Sequence, residues 1–172
     1  NENDNCGKIF CIKKYETGDI KIHHKILQYE KNKSKITYCP IHNIITKFSF
    51  INNPEKIEQE YNKFNKINNI INKLEGQYKG NFYKSLSLKK HEDGIEEKME
   101  YSGKDLFEIY KNKKKEPEPW INVLLKLPKL INSLKHLHQI KIYHRDLKPL
   151  NLCYNTKTDE IEIIDFEMAI IE

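Results

Sequence analysis

The sequence is poor in cysteine and alanine, has a single arginine, and lacks a long apolar run. Four cysteines are present: Cys6, Cys11, Cys39 and Cys153. They form no C-x-x-C pair, so neither a zinc ribbon nor a disulfide scaffold is indicated. No apolar stretch approaches the roughly 18 to 20 residues that a membrane-spanning helix needs, and we expect no membrane association. A reducing, cytoplasmic compartment is the default expectation for such a chain.

The net charge of +5 does not indicate a nucleic-acid-binding surface. All but one of the 30 basic residues are lysines, Arg145 being the exception, and they are spread among 25 acidic residues. Asparagine, isoleucine and lysine are abundant throughout, whereas Ala169 is the only alanine. This composition is typical of A/T-rich codons, and a phosphate-binding patch would need lysines clustered with aromatic residues. We expect no nucleic-acid partner, and the oligomeric state is not indicated.

The length of 172 residues suits one domain or two small lobes that share a core. The first half alternates apolar and polar residues as strands do, interrupted by one segment with helical spacing. Strands are predicted over residues 8–14, 20–28, 41–50, 81–88 and 95–101. Pro54 suits the first turn of the interrupting helix, which is predicted over 55–74.

The second half is predicted to be mainly helical. Asp105 can cap a short helix over 106–111, and a longer helix is predicted over 119–138. The apolar stripe of the longer helix is predicted to be Leu124, Leu127, Ile131, Leu134 and Leu137, with Leu130 on its flank. Pro128 is expected to kink that helix or to mark its first turn. A strand–turn–strand stretch is predicted over 151–164.

Residues 144–151 read His-Arg-Asp-Leu-Lys-Pro-Leu-Asn, and a β-branched run delivers Asp165-Phe166 fourteen residues later. This pattern resembles the catalytic loop and metal-binding strand end of the eukaryotic-type Ser/Thr protein kinases. The resemblance implies an α+β, bilobal protein-kinase-like fold. Residues 1–101 would form an N-lobe of antiparallel β-sheet plus helix C, and residues 102–172 would begin a mainly helical C-lobe.

The resemblance implies phosphoryl transfer from ATP to Ser or Thr hydroxyls of a protein substrate. Asp146 would orient the substrate hydroxyl, and Lys148 would neutralise charge on the moving phosphoryl group. Asn151 and Asp165 would supply the hard oxygen ligands that Mg²⁺ prefers. Arg145 would meet a phosphorylated activation loop, for which a bidentate guanidinium suits better than a lysine.

A second stretch resembles the hinge that holds adenine in these kinases. It reads Met-Glu-Tyr-Ser-Gly and is followed after one residue by Asp-Leu-Phe. Met99 would be the gatekeeper, Asp105 would bond the ribose, and Cys153 would lie on the adenine floor as a small apolar residue. The backbone that would meet adenine belongs to Glu100, Tyr101 and Ser102.

The lysine that anchors ATP is expected to be Lys47, in the stretch Ile-Ile-Thr-Lys on a strand just before the helix. Glu60 resembles the helix C glutamate that pairs with this lysine, and Glu58 is the fallback. A rival alignment starts from the turn near residue 18 and places His24 or Lys25 at the lysine position. It leaves roughly thirty residues before the helix unexplained, whereas a helix directly follows the strand of Lys47.

The glycine-rich loop that covers the phosphates in this family is mostly absent. Gly7 would be its third glycine and Ile9 its apolar lid over adenine, but Glu2 and Asp4 occupy the first two glycine positions. Glu167 also replaces the glycine of Asp-Phe-Gly. These departures keep open an alternative, a pseudokinase that binds nucleotide or protein without catalysis. A small-molecule kinase of related fold is disfavoured by Lys148-Pro149.

The resemblance covers nearly all of the chain but about two thirds of a kinase domain of roughly 250 residues. We therefore expect a truncated sequence, with its true start upstream of Asn1 and an activation segment after Glu172. The composition and the Cys39-Pro40 and MEYSGKDL stretches are most similar to kinases of large nucleocytoplasmic DNA viruses, with an A/T-rich protist as the rival source. A viral origin would place the protein in the host cytoplasm or the virion.

Overall fold

A computed structural model describes residues 12–14, 20–22, 25–30 and 33–172. The described residues fall into two compact units. The first contains those up to Lys63 together with Ser85–Tyr101, and the second contains Phe64–Lys84 and Ser102–Glu172. Residues 64–84, which belong to the N-lobe expected over 1–101, lie in the second compact unit. Among the described residues, no helix is long and apolar enough to cross a membrane.

The first unit is built on a five-stranded antiparallel sheet. Its strands are β3 (Lys25–Glu30), β4 (Ser34–Cys39), β5 (Ile44–Phe50), β6 (Ser85–His91) and β7 (Gly94–Glu100), which follow a hairpin of β1 (Ile12–Lys14) and β2 (Ile20–Ile22). The spatial order of the sheet is β3-β4-β5-β7-β6. The strand before helix α1 is therefore central in the sheet, with β4 on one side and β7 on the other.

Three strand predictions in this half of the chain were wrong. The strand expected over 81–88 is β6, which begins only at Ser85. The strand expected over 41–50 begins only at Ile44, because residues 40–43 form a turn in which Asn43 has a φ of 56°. The strand expected over 20–28 is two strands, β2 and β3, that belong to different sheets. Strand β4 was not predicted, although its Ile-Thr-Tyr run carries strong β-formers.

Helix α1 spans Pro54–Asn72, close to the predicted 55–74. Asn53 caps it, since its Oδ1 accepts a hydrogen bond from the backbone N of Lys56 at 3.1 Å. Its buried face follows the predicted helical spacing and consists of Ile57, Phe64, Ile67, Asn68 and Ile71. The apolar periodicity thus identified the buried side of this helix.

The second unit combines two helices with two small sheets. Its regular elements are a 3-10 helix (Gly76–Asn81), β8 (Lys104–Asp105), α2 (Leu106–Asn112), α3 (Pro117–Gln139), β9 (Ile142–Tyr143), β10 (Leu152–Asn155), β11 (Glu160–Ile163) and β12 (Ile170–Ile171), with further 3-10 turns at Pro149–Asn151 and Phe166–Met168. The sheets are β11-β10-β8 and β12-β9, and both are antiparallel. The predicted strand–turn–strand stretch is confirmed as β10 and β11.

The buried face of α3 differs from the predicted stripe. Leu137 is buried as predicted, and Leu130, which was predicted on the flank of the stripe, is buried too. Leu124 and Ile131 of the predicted stripe are about half exposed. The buried residues of α3 are Val123, Leu130, Ser133 and Leu137. The helix is apolar on more than one side, so spacing alone did not identify the side that contains a serine. Pro128 lies inside the helix, not in its first turn.

Candidate active site

The loop at residues 144–151 connects β9 to β10, and a buried histidine at its start forms hydrogen bonds that hold it in place. His144 is 1% exposed. Its Nδ1 accepts a hydrogen bond from the backbone N of Asp146 at 3.2 Å, and its Nε2 lies 2.9 Å from the carbonyl oxygen of Ile164. Because a backbone N–H can only donate and a carbonyl can only accept, the imidazole carries its proton on Nε2. His144 therefore joins the loop to the chain segment after β11.

The carboxylate of Asp146 lies at the centre of a hydrogen-bonded cluster. Its Oδ2 accepts from Lys148 Nζ at 2.7 Å and from Asn151 Nδ2 at 2.9 Å. Asn151 Nδ2 also donates to the backbone oxygen of Asp146 at 2.9 Å. The hydrogen bond from Lys148, more than any other cause, lowers the pKa of Asp146 below its ordinary value. The three predicted catalytic residues of this loop thus contact one another directly.

Asn151 is buried and is held by its backbone as well as by its side chain. Its N donates to the carbonyl of Lys148 at 2.8 Å, and its O accepts from the N of Ile164 at 3.0 Å. Both side-chain bonds use Nδ2, which leaves the amide oxygen as the group that can ligate a cation. The backbone bond to Ile164 links Asn151 to the residue just before Asp165.

Asp165 follows β11 and has a φ of 62°, in the left-handed region. The next residue, Phe166, is 2% exposed, and its ring lies 4.7 Å from the His144 ring, centroid to centroid. The Tyr83 and Phe82 rings lie 5.8 Å and 6.4 Å from it. The backbone at Asp165 is therefore fixed on both sides, by the bonds of Ile164 and by the packing of Phe166.

Asn151 and Asp165 fit the requirements of Mg²⁺ in chemistry and number. The ion prefers hard oxygen ligands and is commonly held by one or two protein groups together with substrate phosphates. An amide oxygen and a carboxylate satisfy this pattern. Among the described residues, no cluster of three His, Cys, Asp or Glu side chains forms a metal cage of its own. The donor set therefore suits a cation that arrives with phosphate.

In the first unit, Lys47 lies on β5, opposite Ile36 of β4 and Glu97 of β7. Glu60 lies on α1, where its Oε2 forms an ion pair with Lys63 Nζ at 2.5 Å. The expected pairing of Lys47 with Glu60 stays a prediction.

The rival residues have their own positions. Glu58 is ion-paired with Lys90, and the hydrogen bond from this lysine lowers the pKa of Glu58. Lys25 lies at the start of β3, two strands away from β5 in the sheet. Gly7, Ile9 and His24 lie outside the described residues.

The hinge-like segment leads from β7 into β8. Met99 lies on β7 opposite Ile45 and Ser85. Glu100 ends this strand, and the N of Tyr101 donates to the carbonyl of Asn43 at 3.0 Å. In the second unit, Ser102 is buried, at 6% exposure.

Beyond the hinge, Asp105 is the predicted helix cap, since its Oδ1 accepts from the N of Glu108 at 2.8 Å. Asp105 also lies opposite Cys153 in the pairing of β8 with β10. Cys153 is buried, and burial raises the pKa of its thiol to about 12. The thiol is therefore neutral at physiological pH and fits the predicted role of a small apolar residue.

Two features were not predicted: the close approach of the chain at Gly103 and a buried polar network around Asn81. Gly103 has a φ of 92°, and a Cβ at this position would lie 2.1 Å from the carbonyl oxygen of Tyr154. A glycine in a predicted turn was the available signal. No such signal exists for Asn81, because its partners are far away in sequence.

Comparisons with known proteins find sequences similar to this chain. The family model described as "Protein kinase domain" matches residues 2–171. The chain is 33% identical over 109 residues to mitogen-activated protein kinase kinase 5 of Leishmania mexicana, which covers 60% of this chain and 20% of the relative. It is 48% identical over 40 residues to the probable serine/threonine-protein kinase cdc7 of Dictyostelium discoideum, covering 23% and 4%. It is 40% identical over 50 residues to the human myosin light chain kinase family member 4, covering 28% and 13%. The matches thus span a fifth or less of these relatives.

Proposed function

Because the chain belongs to the protein kinase domain family, we propose that it transfers the γ-phosphoryl group of ATP to Ser or Thr hydroxyls of a protein substrate. The observation that carries this proposal is the contact of Lys148 and Asn151 with one carboxylate oxygen of Asp146. Phosphoryl transfer depends on positioning and charge neutralisation more than on covalent chemistry of the protein. A carboxylate held in place by an ammonium and an amide suits that requirement.

Asp146 would accept a hydrogen bond from the substrate hydroxyl and orient its oxygen toward the phosphorus. The carboxylate is ionised at neutral pH and can accept without first losing a proton, and its lowered pKa extends this to more acidic pH. Lys148 reaches the same carboxylate and would share its charge with the transferring group. A lysine two residues after the aspartate is the pattern of Ser/Thr kinases, and the relatives named above include serine/threonine kinases.

Mg²⁺ would be held by the amide oxygen of Asn151 and the carboxylate of Asp165. When bound, the ion neutralises the phosphates of ATP and fixes their orientation. The contribution of the chain is to hold both ligands in place. Asn151 is fixed through its bonds to Asp146, and Asp165 through the hydrogen bonds of Ile164 and the buried ring of Phe166.

The nucleotide site would extend to the residues that the family resemblance identified. Lys47, paired with Glu60, would anchor the phosphates, and Asp105 would bond the ribose. Gly7 and Ile9 would cover the nucleotide. The adenine would meet Met99, Glu100, Tyr101, Ser102 and Cys153. The inert, buried thiol of Cys153 supports its part in this proposal.

The second candidate is a pseudokinase, a binding module without catalysis. It is favoured by the sequence of the expected glycine-rich loop, in which Glu2 and Asp4 occupy the first two glycine positions. Glu167 in place of glycine adds to this argument. A thermal-shift titration with ATP separates binding from its absence, since ligand at 100 times its Kd stabilises by about 2.7 kcal/mol.

The test of catalysis uses ATP labelled at the γ-phosphate, Mg²⁺ and a generic basic protein as substrate. Label on serine and threonine that disappears in Asp146→Asn is the expected result, because an amide lacks the carboxylate charge and part of its acceptor capacity. Equal label from wild type and Asp146→Asn contradicts the proposal. Binding of ATP without transfer supports the pseudokinase instead.

Three broader assignments are also proposals. We propose that residues 1–101 and 102–172 correspond to the two kinase lobes. The resemblance of MEYSGKDL to kinases of large DNA viruses supports a viral source, with cytoplasmic or virion location. Protein substrates follow from the kinase relatives, and the absence of a basic aromatic patch in the sequence gives no reason to propose a nucleic-acid partner.

A further inference from the structure

A buried polar network joins the segment 81–83 to helix α3 and strand β11, and the proposed mechanism makes no use of it. Ser133 Oγ donates to Asn81 Oδ1 at 2.7 Å, and Asn81 Nδ2 donates to the carbonyl of Ile161 at 2.9 Å. Asn81 and Ser133 are both 0% exposed. A buried polar group that loses its partner retains its desolvation cost, so the two side chains depend on each other.

A charged arm extends the same network toward the surface. Asn81 Nδ2 also lies 3.4 Å from Glu160 Oε2, and Glu160 Oε1 is ion-paired with Lys129 of α3. Ser133 Oγ additionally contacts the carbonyl of Lys129 at 3.2 Å. Asn81 is therefore bonded to α3 through Ser133 and to β11 through both a backbone carbonyl and a side chain.

Segment 81–83 is also bonded to the end of β11, the strand that leads to Asp165. Two residues after Asn81, the N of Tyr83 donates to the carbonyl of Ile163 at 3.1 Å. Phe82 forms a parallel bridge with Ile163. Segment 81–83 thus lies along β11 as an additional edge, on the side that β10 does not occupy.

The same strand end is bonded to the catalytic loop. The N of Ile164 donates to Asn151 O, and the carbonyl of Ile164 accepts from His144 Nε2. The residue before Asp165 is therefore held by the loop, and the residue before that by segment 81–83. A shift of this segment would move the proposed Mg²⁺ ligand relative to Asp146.

We propose that Asn81 and Ser133 are positioning residues that fix strand β11 and thereby place Asp165 for phosphoryl transfer. This inference rests on the proposed function for its catalytic consequence. The two residues touch no reacting atom, and they act through Ile161 and Ile163. Because misplacement of a catalytic ligand by about 1 Å can cost about a hundredfold in rate, a partial shift is expected to be measurable.

The hairpin of β10 and β11 offers a control hydroxyl outside this network, at Tyr154 of β10. Tyr154 OH donates to Asp159 Oδ1 at 2.6 Å, next to the turn that joins the two strands. Lys126 Nζ pairs with Asp159 Oδ2 at 2.5 Å. Tyr154→Phe removes one hydroxyl, as Ser133→Ala does, but its bond to Asp159 lies in the turn before β11 and does not involve segment 81–83.

The first experiment compares steady-state kinetics of the full chain as wild type, Ser133→Ala and Tyr154→Phe, well below their melting temperatures. Ser133→Ala is expected to lower kcat about tenfold with little change in the KM for ATP, because the proposed adenine-binding residues are untouched. Tyr154→Phe is expected to keep kcat. Should Ser133→Ala not fold, Lys129→Met weakens the Glu160 arm and should give the same split at smaller amplitude. Equal kcat in the Ser133 and Tyr154 variants overturns the proposal.

The second experiment does not depend on activity. Hydrogen–deuterium exchange should be faster in peptides spanning 161–166 for Ser133→Ala, and faster around residues 155–160 for Tyr154→Phe. Unchanged protection of 161–166 in Ser133→Ala contradicts the proposed positioning role of Ser133, even if the wild type is an active kinase. A wild type without phosphoryl transfer contradicts the proposed function. The exchange result then decides by itself whether Asn81 and Ser133 fix strand β11.

Discussion

The candidate catalytic residues of the second unit bond to one another, whereas the candidate carboxylates of the first unit pair with lysines that have no proposed catalytic role. Asp146, Lys148 and Asn151 share hydrogen bonds within six residues of chain. Glu60 pairs with Lys63, one helical turn away. A short loop can assemble its own cluster, but an ATP-anchoring pair must form across a strand and a helix. The comparison indicates that the catalytic loop is preorganised by local chemistry.

The largest expected effect comes from breaking the cluster at Asn151. Asn151→Ala removes the amide that holds Asp146 and a proposed Mg²⁺ ligand, so kcat should fall about a hundredfold or more. Steady-state transfer assays measure this, with melting temperature as the control for folding. A variant that keeps wild-type kcat would show that the amide bonds to Asp146 are structural only.

The two glycines with positive φ in the second unit differ in the space available for a Cβ atom. Gly103→Ala places a Cβ 2.1 Å from the carbonyl oxygen of Tyr154, so we expect a loss of about 2 to 4 kcal/mol of unfolding free energy. Gly76 has a φ of 67°, and a Cβ added there would meet no atom within 4 Å. Gly76→Ala should therefore cost about 1 to 2 kcal/mol. Denaturant unfolding measures both, and equal losses would contradict the close approach at Gly103.

The pH dependence tests whether Lys148 sets the charge of Asp146. The pKa of Asp146 is lowered in the folded state, so the stability it contributes is present above its unfolded pKa of about 3.9 and lost as the pH falls through the lower folded value. Lys148→Met removes the largest cause of the lowered pKa. The acid limb of kcat/KM should then move to higher pH. An unchanged limb would show that Lys148 does not stabilise the carboxylate.

The rate of thiol alkylation tests the burial of Cys153. Burial raises its pKa to about 12, so it should resist alkylation at pH 8 in the folded chain and react after denaturation. Mass spectrometry of the labelled peptides locates the modified residue. Rapid labelling of Cys153 under native conditions would contradict its burial at the proposed adenine floor.

The smallest effect is expected in the first unit. Lys63→Met removes the ion pair with Glu60, whose side chain is about one-quarter exposed, as is that of Lys63. Pairs three residues apart on a helix contribute about 0.2 to 0.5 kcal/mol, and loss of this ion pair should lower the unfolding free energy by about that amount. A loss above about 1 kcal/mol would show that the pair is as tightly organised as the catalytic loop.

The parts of the structure that the sequence predicted share short-range causes. The catalytic loop was identified by its resemblance to a family motif whose residues lie within eight positions of the chain. Helix α1 was placed within two residues because Pro54 and its apolar spacing are local signals. The cap at Asp105 depends on a backbone N–H only three residues later.

The parts that escaped prediction depend on distant partners. The buried side of α3 includes Ser133, whose burial is explained by Asn81, 52 residues earlier. A serine on a helix is exposed by default, and only the tertiary contact reverses that expectation. The prediction of strand β4 was missed for a different reason. The alternation of apolar and polar residues did not reveal the turn at residues 40–43 that separates β4 from β5.

A double-mutant cycle on the catalytic loop tests the central claim most directly. We compare kcat of wild type, Asp146→Asn, Lys148→Met and the double variant. Because the three residues of the cluster act as a unit, the double variant should be no slower than the slower single variant. If the two losses instead multiply, Asp146 and Lys148 act independently, and the preorganised cluster of the catalytic loop does not account for catalysis.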